Sequence, residues 1–337
     1  MENSTKIKWG IVGLGHIAQQ FASELKLVES GELYAVASRS LDKAQEFACM
    51  FQSPKVYGSY DELFHDETID ILYIATPHDS HAELTIKALQ NNKHVLCEKP
   101  IALHYQDALR MISTAKKHNK FFMEAFWTRF NPSVREALLH VQNGLIGEVK
   151  YLNADFAFAV ENLEGNRMID VKLGGGSLMD VGVYPLFLAY LMLGIPKEIV
   201  AKSNFHPSGA DLQTSIILQY ETAQAILHSS FLSSSNLKAS ISGSQGRINL
   251  NSPWYMTESY TLIQNDHKEK FKRPTLGKGY TYEIEECHAC IRANKIESEL
   301  WSHQNSLDLI TIVDKVRKQN RVSVLVVFYT LQRGIVI

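Results

Sequence analysis

"GLGHIAQQF", residues 13–21, carries glycines at Gly13 and Gly15 and then Ala18 where a third glycine would complete a GxGxxG pattern. Two nearby glycines are commonplace, so the flanking residues decide the reading. "IKWGIV" at 7–12 is a short β-rich run leading straight into the turn, and "IAQQFASELKLV" after it has apolar residues at helical spacing. Strand, glycine turn and helix in that order form the cradle of a dinucleotide pyrophosphate. Gly13 permits the tight turn, Gly15 lets a phosphate approach the backbone, and Ala18 is small enough for helix and strand to pack. The helix start at His16 and Ile17 supplies N–H groups and partial positive charge.

The same rhythm continues along the chain. "LYAVAS" at 33–38 precedes a helical "LDKAQEFACMF", "IDILYIAT" at 69–76 precedes "SHAELTIKALQN", and "KHVLCEKP" at 93–100 precedes "YQDALRMISTAKKH"; "KFFMEAF" at 120–126 is a further strand. Such alternation predicts an α/β doubly wound parallel sheet, because parallel neighbours need a long connection and helices must cover each apolar face. After about residue 125 the pattern changes. "GEVKYLNADFAFAV", "EIVAKSNFH", "TSIILQYETAQAILHSSFL", "KASISGSQGRINL" and "ESYTLIQND" read as strands with few helices between them, several alternating apolar and polar residues. The expectation is a Rossmann domain over 1–124 and an α+β domain over 125–337 built on a large, open, mostly antiparallel sheet.

At 337 residues, 45% hydrophobic and 21% charged, the chain suits two soluble domains. A formal charge of -2 leaves no long-range field to draw it to nucleic acid or an anionic membrane, so a small molecule is the expected partner. The start "MENSTKIKWGIVG" lacks the pattern of a signal peptide, and a cytoplasmic protein is expected. Cys49, Cys97, Cys287 and Cys290 are a poor disulfide framework. Cys287 and Cys290 form one CxxC in a helical stretch with no second CxxC, and no metal site is expected.

The end of the second strand discriminates between dinucleotides. An NAD site places a carboxylate there for the ribose 2'-hydroxyl, whereas this chain reads Ser38, Arg39, Ser40. Arg39 can pair with a 2'-phosphate, and the two serines can donate hydrogen bonds, so NADP is favoured and NAD remains possible. Lys99 follows the "HVLCE" strand at the rim where a nicotinamide would lie, and Pro100 fixes the backbone after it, a cis peptide being one option. Alone, such a lysine is more often just a solvated charge. "GGGSLMDVGVYPL" places Asp180 and Tyr184 four residues apart, on one face if a helix runs through them. The three glycines point to a close backbone approach, and Pro185 predicts that the helix kinks or starts there. A buried tyrosine with a capping aspartate would also fit.

"GIVGLGHIA", "ATPHDSHAELTIKAL", "HVLCEKP", "EAFWTRFNP" and "GGGSLMDVGVYPL", in this order, resemble the glucose-fructose oxidoreductase and inositol dehydrogenase (Gfo/Idh/MocA) family. "ASRS", "FWTRF" and "DVGVY" are most similar to the branch with dimeric dihydrodiol dehydrogenase and NADP-dependent D-xylose dehydrogenase. The resemblance implies a nicotinamide cofactor and a homodimer or dimer of dimers assembled through the second sheet. It also implies an oxidoreductase acting on a secondary alcohol or carbonyl of a sugar, polyol or cyclic trans-diol. Lys99 would then be the catalytic lysine, Tyr184 the acid/base and Asp180 the residue that orients the substrate hydroxyl or the lysine. The resemblance further puts Thr76, Pro77, His78 and His81 along the cofactor, with His81 equally suited to capping the next helix. Glu98 would brace the loop beside the cofactor, and Trp127, Arg129, Phe156 and Phe158 would lie near the substrate. The alternative function is a nicotinamide-binding sensor or scaffold without catalysis. One departure from the family is the terminal "RVSVLVVFYTLQRGIVI", in which seven of the eight residues Val322–Tyr329 are apolar or aromatic. It reads as an added edge strand, an interface segment or an altered terminus.

Overall fold

The computed structural model describes residues 6–265 and 267–332, with residues 320–332 described by their backbone alone. The chain divides into two compact units, one made of Met1–Pro132 and Pro274–Leu307, the other of Ser133–Arg273 and Asp308–Ile337.

The first unit holds a six-stranded sheet of β1 (Ile7–Val12), β2 (Gly31–Ala37), β3 (Lys55–Tyr57), β4 (Ile71–Ile74), β5 (His94–Glu98) and β6 (Phe122–Ala125). The spatial order is β3-β2-β1-β4-β5-β6, with every neighbour parallel. The connecting helices are α1 (His16–Leu25), α2 (Leu41–Phe51), α3 (Tyr60–His65), α4 (His81–Gln90) and α5 (Tyr105–His118). Helices on both faces explain why β4 and β6 are buried at every position. Phe21 of α1 stacks on Tyr73 of β4 at 3.8 Å, with Trp9 of β1 at 5.1 Å from Phe21. Strand order reverses between β1 and β4, the point at which open α/β sheets bind ligands. The sequence reading missed β3 and α3, because three and six residues are too few for a period to show.

Pro274–Leu307 departs from the single boundary expected at 124/125. Its helix α8 (Thr281–Arg292) is fastened to β1 through His288. Trp9 Nε1 donates to His288 Nε2 at 2.8 Å, and His288 Nδ1 lies 2.8 Å from Ser30 Oγ. Because an indole N–H can only donate, Nε2 accepts and the ring is the neutral Nδ1–H tautomer. Burial holds its pKa down to about 4. The carboxylate of Glu24 in α1 accepts the backbone N–H groups of Lys278 at 2.9 Å and Gly279 at 3.2 Å. Cys287 and Cys290 point into this packing. Burial pushes both thiols up, Cys290 to about 12, so they are poor nucleophiles.

The second unit is an eight-stranded sheet of β7 (Val149–Ala157), β8 (Glu198–Phe205), β9 (Asp211–Gln219), β10 (Gln224–Ser230), β11 (Ala239–Gly243), β12 (Arg247–Leu250), β13 (Ser259–Gln264) and β14 (His267–Lys272). Its order is β14-β13-β12-β11-β7-β10-β9-β8, and only the β7/β10 pair among these neighbours is parallel. One face packs on α7 (Val183–Leu193), whose residues Val183 to Ala189 are all buried. The apolar segment Val171–Leu193 is long enough to pass for a membrane span by composition, but most of its most apolar stretch is buried inside the protein. The remaining helices are α6 (Pro132–Gln142) and α9 (His303–Gln332). The apolar run after Arg321 continues α9 instead of forming an edge strand, since no glycine or proline between Asp314 and Gln332 stops the helix. Gln319 of α9 accepts from Ala201 N–H at 3.0 Å and donates to the carbonyl of Ile199, occupying backbone groups on the edge strand β8.

Candidate active site

In the first unit the turn after β1 has the geometry a diphosphate needs. Gly13 has φ of 86°, and a Cβ there would lie 2.7 Å from Thr76 Cγ2 and 2.9 Å from the Ala75 carbonyl, so only glycine lets the β1 and β4 ends abut. Gly15 faces open space: a Cβ on it would meet nothing within 4 Å. It is also the N-cap of α1, and no side chain caps that helix. An uncapped helix start beneath an open glycine fits an anion, with His16 exposed and Ile17 half-buried at its edge.

At the end of β2, Ser38 is buried and its Oγ accepts the Ser40 N–H at 3.3 Å, while Ser40 caps α2 through Lys43 N–H. Arg39 between them is exposed. It hydrogen-bonds Tyr60, whose pKa is raised by burial against the lowering effect of this guanidinium.

Lys99 follows β5 and is half-buried, and the peptide to Pro100 is cis. The backbone around it is held from three sides. Lys99 N–H donates to Glu98 Oε2 at 3.1 Å, and Tyr73 OH donates to Glu98 Oε1. Ile101 N–H donates to Glu124 Oε1 at 2.8 Å, while Trp301 Nε1 and Ser306 Oγ donate to the other oxygen of Glu124. His81 Nδ1 lies 3.0 Å from the Pro100 carbonyl and its Nε2 3.0 Å from the Thr76 carbonyl. Glu98 thus links Tyr73 of β4 to the Lys99 backbone. His81, fully buried between two backbone carbonyls, ties together the loops that follow β4 and β5. Thr76 and Pro77 stay at least partly exposed, and Ser80 Oγ bonds Thr76 Oγ1 at 2.9 Å. His78 is buried edge-on to His81 at 5.6 Å.

Two residues expected near substrate are packed within the first unit. Trp127 stacks on Tyr280 at 4.5 Å, and Arg129 is buried with Nε donating to the Leu300 carbonyl at 2.8 Å. Both therefore anchor Pro274–Leu307, and for Arg129 the guanidinium is turned inward.

Asp180, Tyr184, Phe156 and Phe158 belong to the second unit. Residues Leu178–Gly182 form a π-turn that runs into α7, so Asp180 and Tyr184 do follow one helical path. Pro185 falls in the first turn of α7, where a missing N–H costs nothing. Asp211 Oδ2 fixes the entry to the π-turn by accepting from Ser177 Oγ at 2.7 Å and Leu178 N–H at 2.8 Å. Tyr184 stands in an aromatic cluster with Phe156 at 5.2 Å and Tyr255 at 5.6 Å, and Phe156 stacks on Tyr255 at 4.2 Å. Phe158 lies 6.3 Å from Phe156. Tyr255 escaped the sequence reading, although "SPWYM" is an aromatic-rich turn. Glu124, Glu283 and Arg167 escaped it too: Glu124 opens the quoted "EAFWTRFNP" but was read only as part of a strand, and the other two lie in no quoted motif. Among the described residues no three His, Cys, Asp or Glu side chains are grouped as a metal would require.

Residues 7–126 match the family model "Oxidoreductase family, NAD-binding Rossmann fold", and residues 134–249 match the GFO/IDH/MocA C-terminal domain. The chain belongs to the Gfo/Idh/MocA oxidoreductase family. It is 35% identical over 325 residues to the trans-1,2-dihydrobenzene-1,2-diol dehydrogenase of Xenopus tropicalis, covering 93% of this chain and 97% of that one. The Homo sapiens protein of the same name is 32% identical over 329 residues, covering 93% and 96%. Among solved structures, a 3-ketoreductase from Actinomadura kijaniata in complex with NADP and TDP-benzene superposes with a TM-score of 0.85 at 26% identity, covering 94% of this chain and 98% of that one. An aldose-aldose oxidoreductase from Caulobacter crescentus has the same fold, with a TM-score of 0.86 at 22% identity over 94% and 98% of the two chains. Family membership makes the protein an NAD(P)-dependent dehydrogenase, and the glycine turn with its uncapped helix is where its first unit fits the dinucleotide.

Proposed function

We propose that the enzyme uses NADP and interconverts a secondary alcohol and a carbonyl on a sugar, a polyol or a cyclic trans-diol. The observation that carries this reading is Lys99, placed directly after a parallel strand of the cofactor-binding sheet on a backbone held by Glu98, Glu124 and His81. The relatives' named activity on a trans-diol and the ketoreductase bound to NADP support it. That ketoreductase has also been solved with one lysine replaced and, separately, with one tyrosine replaced.

When bound, the nicotinamide exchanges hydride with the substrate carbon. Tyr184 takes the hydroxyl proton in the oxidative direction and returns it in reduction. Lys99 stabilises the negative charge developing on the substrate oxygen, and Asp180 orients the substrate hydroxyl. Screening pentoses, hexoses, inositols and trans-diols for NADP reduction tests the reading, and silence across all four classes would refute it.

Arg39 carries the choice of NADP. It is exposed beside Ser38 and Ser40, with no carboxylate at the end of β2 to repel a phosphate. Arg39→Asp should weaken NADP binding by roughly tenfold to a hundredfold, the value of a lost charge-assisted pair, and favour NAD. Titrating both cofactors against both proteins checks this, and an unchanged ratio of affinities would count against NADP selectivity by Arg39.

A second copy of the chain is the proposed partner of the eight-stranded sheet. On the face away from α7, Val200, Ile217 and Ile226 are each more than 40% exposed and sit in register across β8, β9 and β10. The neighbours Ser215, Asn153 and Ser240 are uncharged, Lys202 lies across from Ser215 on the edge strand β8, and Lys268, Lys270 and Lys272 are on the opposite edge strand β14. An exposed apolar row with lysines on the edge strands suits a self-complementary interface. Sedimentation should show a dimer for the parent and a monomer for Ile217→Glu; a monomeric parent at micromolar concentration would end this proposal.

A further inference from the structure

Beside the motif aspartate stands a cation that no motif announces. Arg167 Nη1 and Nη2 lie 3.5 and 3.4 Å from Asp180 Oδ1. The carboxylate side chain is 13% exposed and the guanidinium 52%. Arg167 opens a 3-10 turn, Arg167–Ile169, that runs into a second, Val171–Leu173. Each turn is capped by a side chain: Asn166 accepts from Met168 N–H at 3.0 Å, and Asp170 accepts from Lys172 N–H at 2.9 Å. Ser208 Oγ donates to the Ile169 carbonyl at 2.7 Å, which fixes the turn against the sheet.

The glycine triplet completes this support. Gly175 N–H donates to the Asp170 carbonyl and Gly176 N–H to the Met168 carbonyl, both at 2.8 Å. A Cβ on Gly175 would lie 2.8 Å from the Arg167 carbonyl and from two backbone atoms of Asp170, and one on Gly176 would collide with Asp211. The missing side chain of Gly175 is thus what lets the Arg167 turn close onto the segment that begins the Asp180 π-turn, while Gly176 makes room for Asp211 and Gly174 ends the second turn with φ of 81°. The close approach expected from "GGG" is to this turn of the chain itself.

We propose that Arg167 is a positioning residue of the reaction: it counters the charge of the Asp180 carboxylate and fixes its orientation. The inference rests on the role given to Asp180 under the proposed function. A mostly buried carboxylate loses hydration, and an adjacent guanidinium replaces part of it.

A double-mutant cycle tests this. The parent, Arg167→Gln, Asp180→Asn and the double variant are assayed with NADP and the best substrate of the screen, trans-1,2-dihydrobenzene-1,2-diol being the first tried. Arg167→Gln should lower kcat about tenfold, with KM and NADP affinity within about twofold of the parent, and Arg167→Lys should recover part of the loss. In the Asp180→Asn background the Arg167 change should cost nothing more. An equal loss in both backgrounds would show that Arg167 acts without Asp180 and would overturn the proposal, as would a parent-like Arg167→Gln beside a damaged Asp180→Asn. A parent-like Asp180→Asn would instead overturn the role given to Asp180, and this inference with it.

Discussion

Lys99→Ala is expected to bind NADP as the parent does and to lose about a thousandfold in kcat, the scale of removing a charge-stabilising or proton-transferring group from a reacting oxygen. Cofactor binding should survive because the loop is held through its backbone. Glu98 holds the Lys99 N–H, His81 the Pro100 carbonyl and Glu124 the Ile101 N–H, all through backbone atoms that alanine retains. The glycine turn and α1 are likewise independent of it. Single-turnover rates with NADP titrated in parallel separate the two effects. A variant with intact binding and the parent rate would remove Lys99 from the chemistry.

Glu283→Gln is expected to stabilise the protein, and increasingly so as pH rises. Glu283 of α8 is fully buried, and neither carboxyl oxygen has a hydrogen-bond partner, whereas the equally buried Glu124 has three donors. Burial, and then the nearby Glu98 carboxylate, push the Glu283 pKa well above its ordinary value of 4.5. The folded chain therefore keeps a proton that the unfolded chain has released. Stability from this group is fully present below the unfolded pKa and falls by about 1.4 kcal/mol for each pH unit above it, until the folded pKa is passed. Glutamine carries no such proton, so the difference between variant and parent should widen steadily as pH rises above the ordinary carboxylate range. Urea unfolding at a series of pH values measures it. A gap that stays constant with pH would mean that Glu283 is ionised in the folded state.

The two glutamates show why one class of residue was unreadable. Lys99 drew notice because it follows a strand in a motif with proline behind it. Glu283 has no such marking, and Glu124, though it opens "EAFWTRFNP", sits inside a strand that reads as ordinary β sequence. Their importance comes from distances to groups far along the chain, such as Trp301 and Ser306 for Glu124. His81 was placed on the right loop, but its two carbonyl partners, which decide its role, come from separate strands.

Order and type of the long elements were determined by the sequence alone: alternating strand and helix to residue 126, then alternating-pattern strands, with Gly13, Gly15 and Ala18 marking the phosphate turn. Those features are local, because a period of two or 3.6 residues and the steric freedom of a glycine act over a few neighbours. Tertiary structure alone decided that Pro274–Leu307 returns to the first unit, pinned by Trp9, Glu24 and His288, and that the glycine triplet sets Arg167 against Asp180. The first outcome depends on which buried polar groups meet across more than 250 residues, the second on how tightly two turns thirteen residues apart can close, and a local pattern carries no record of either.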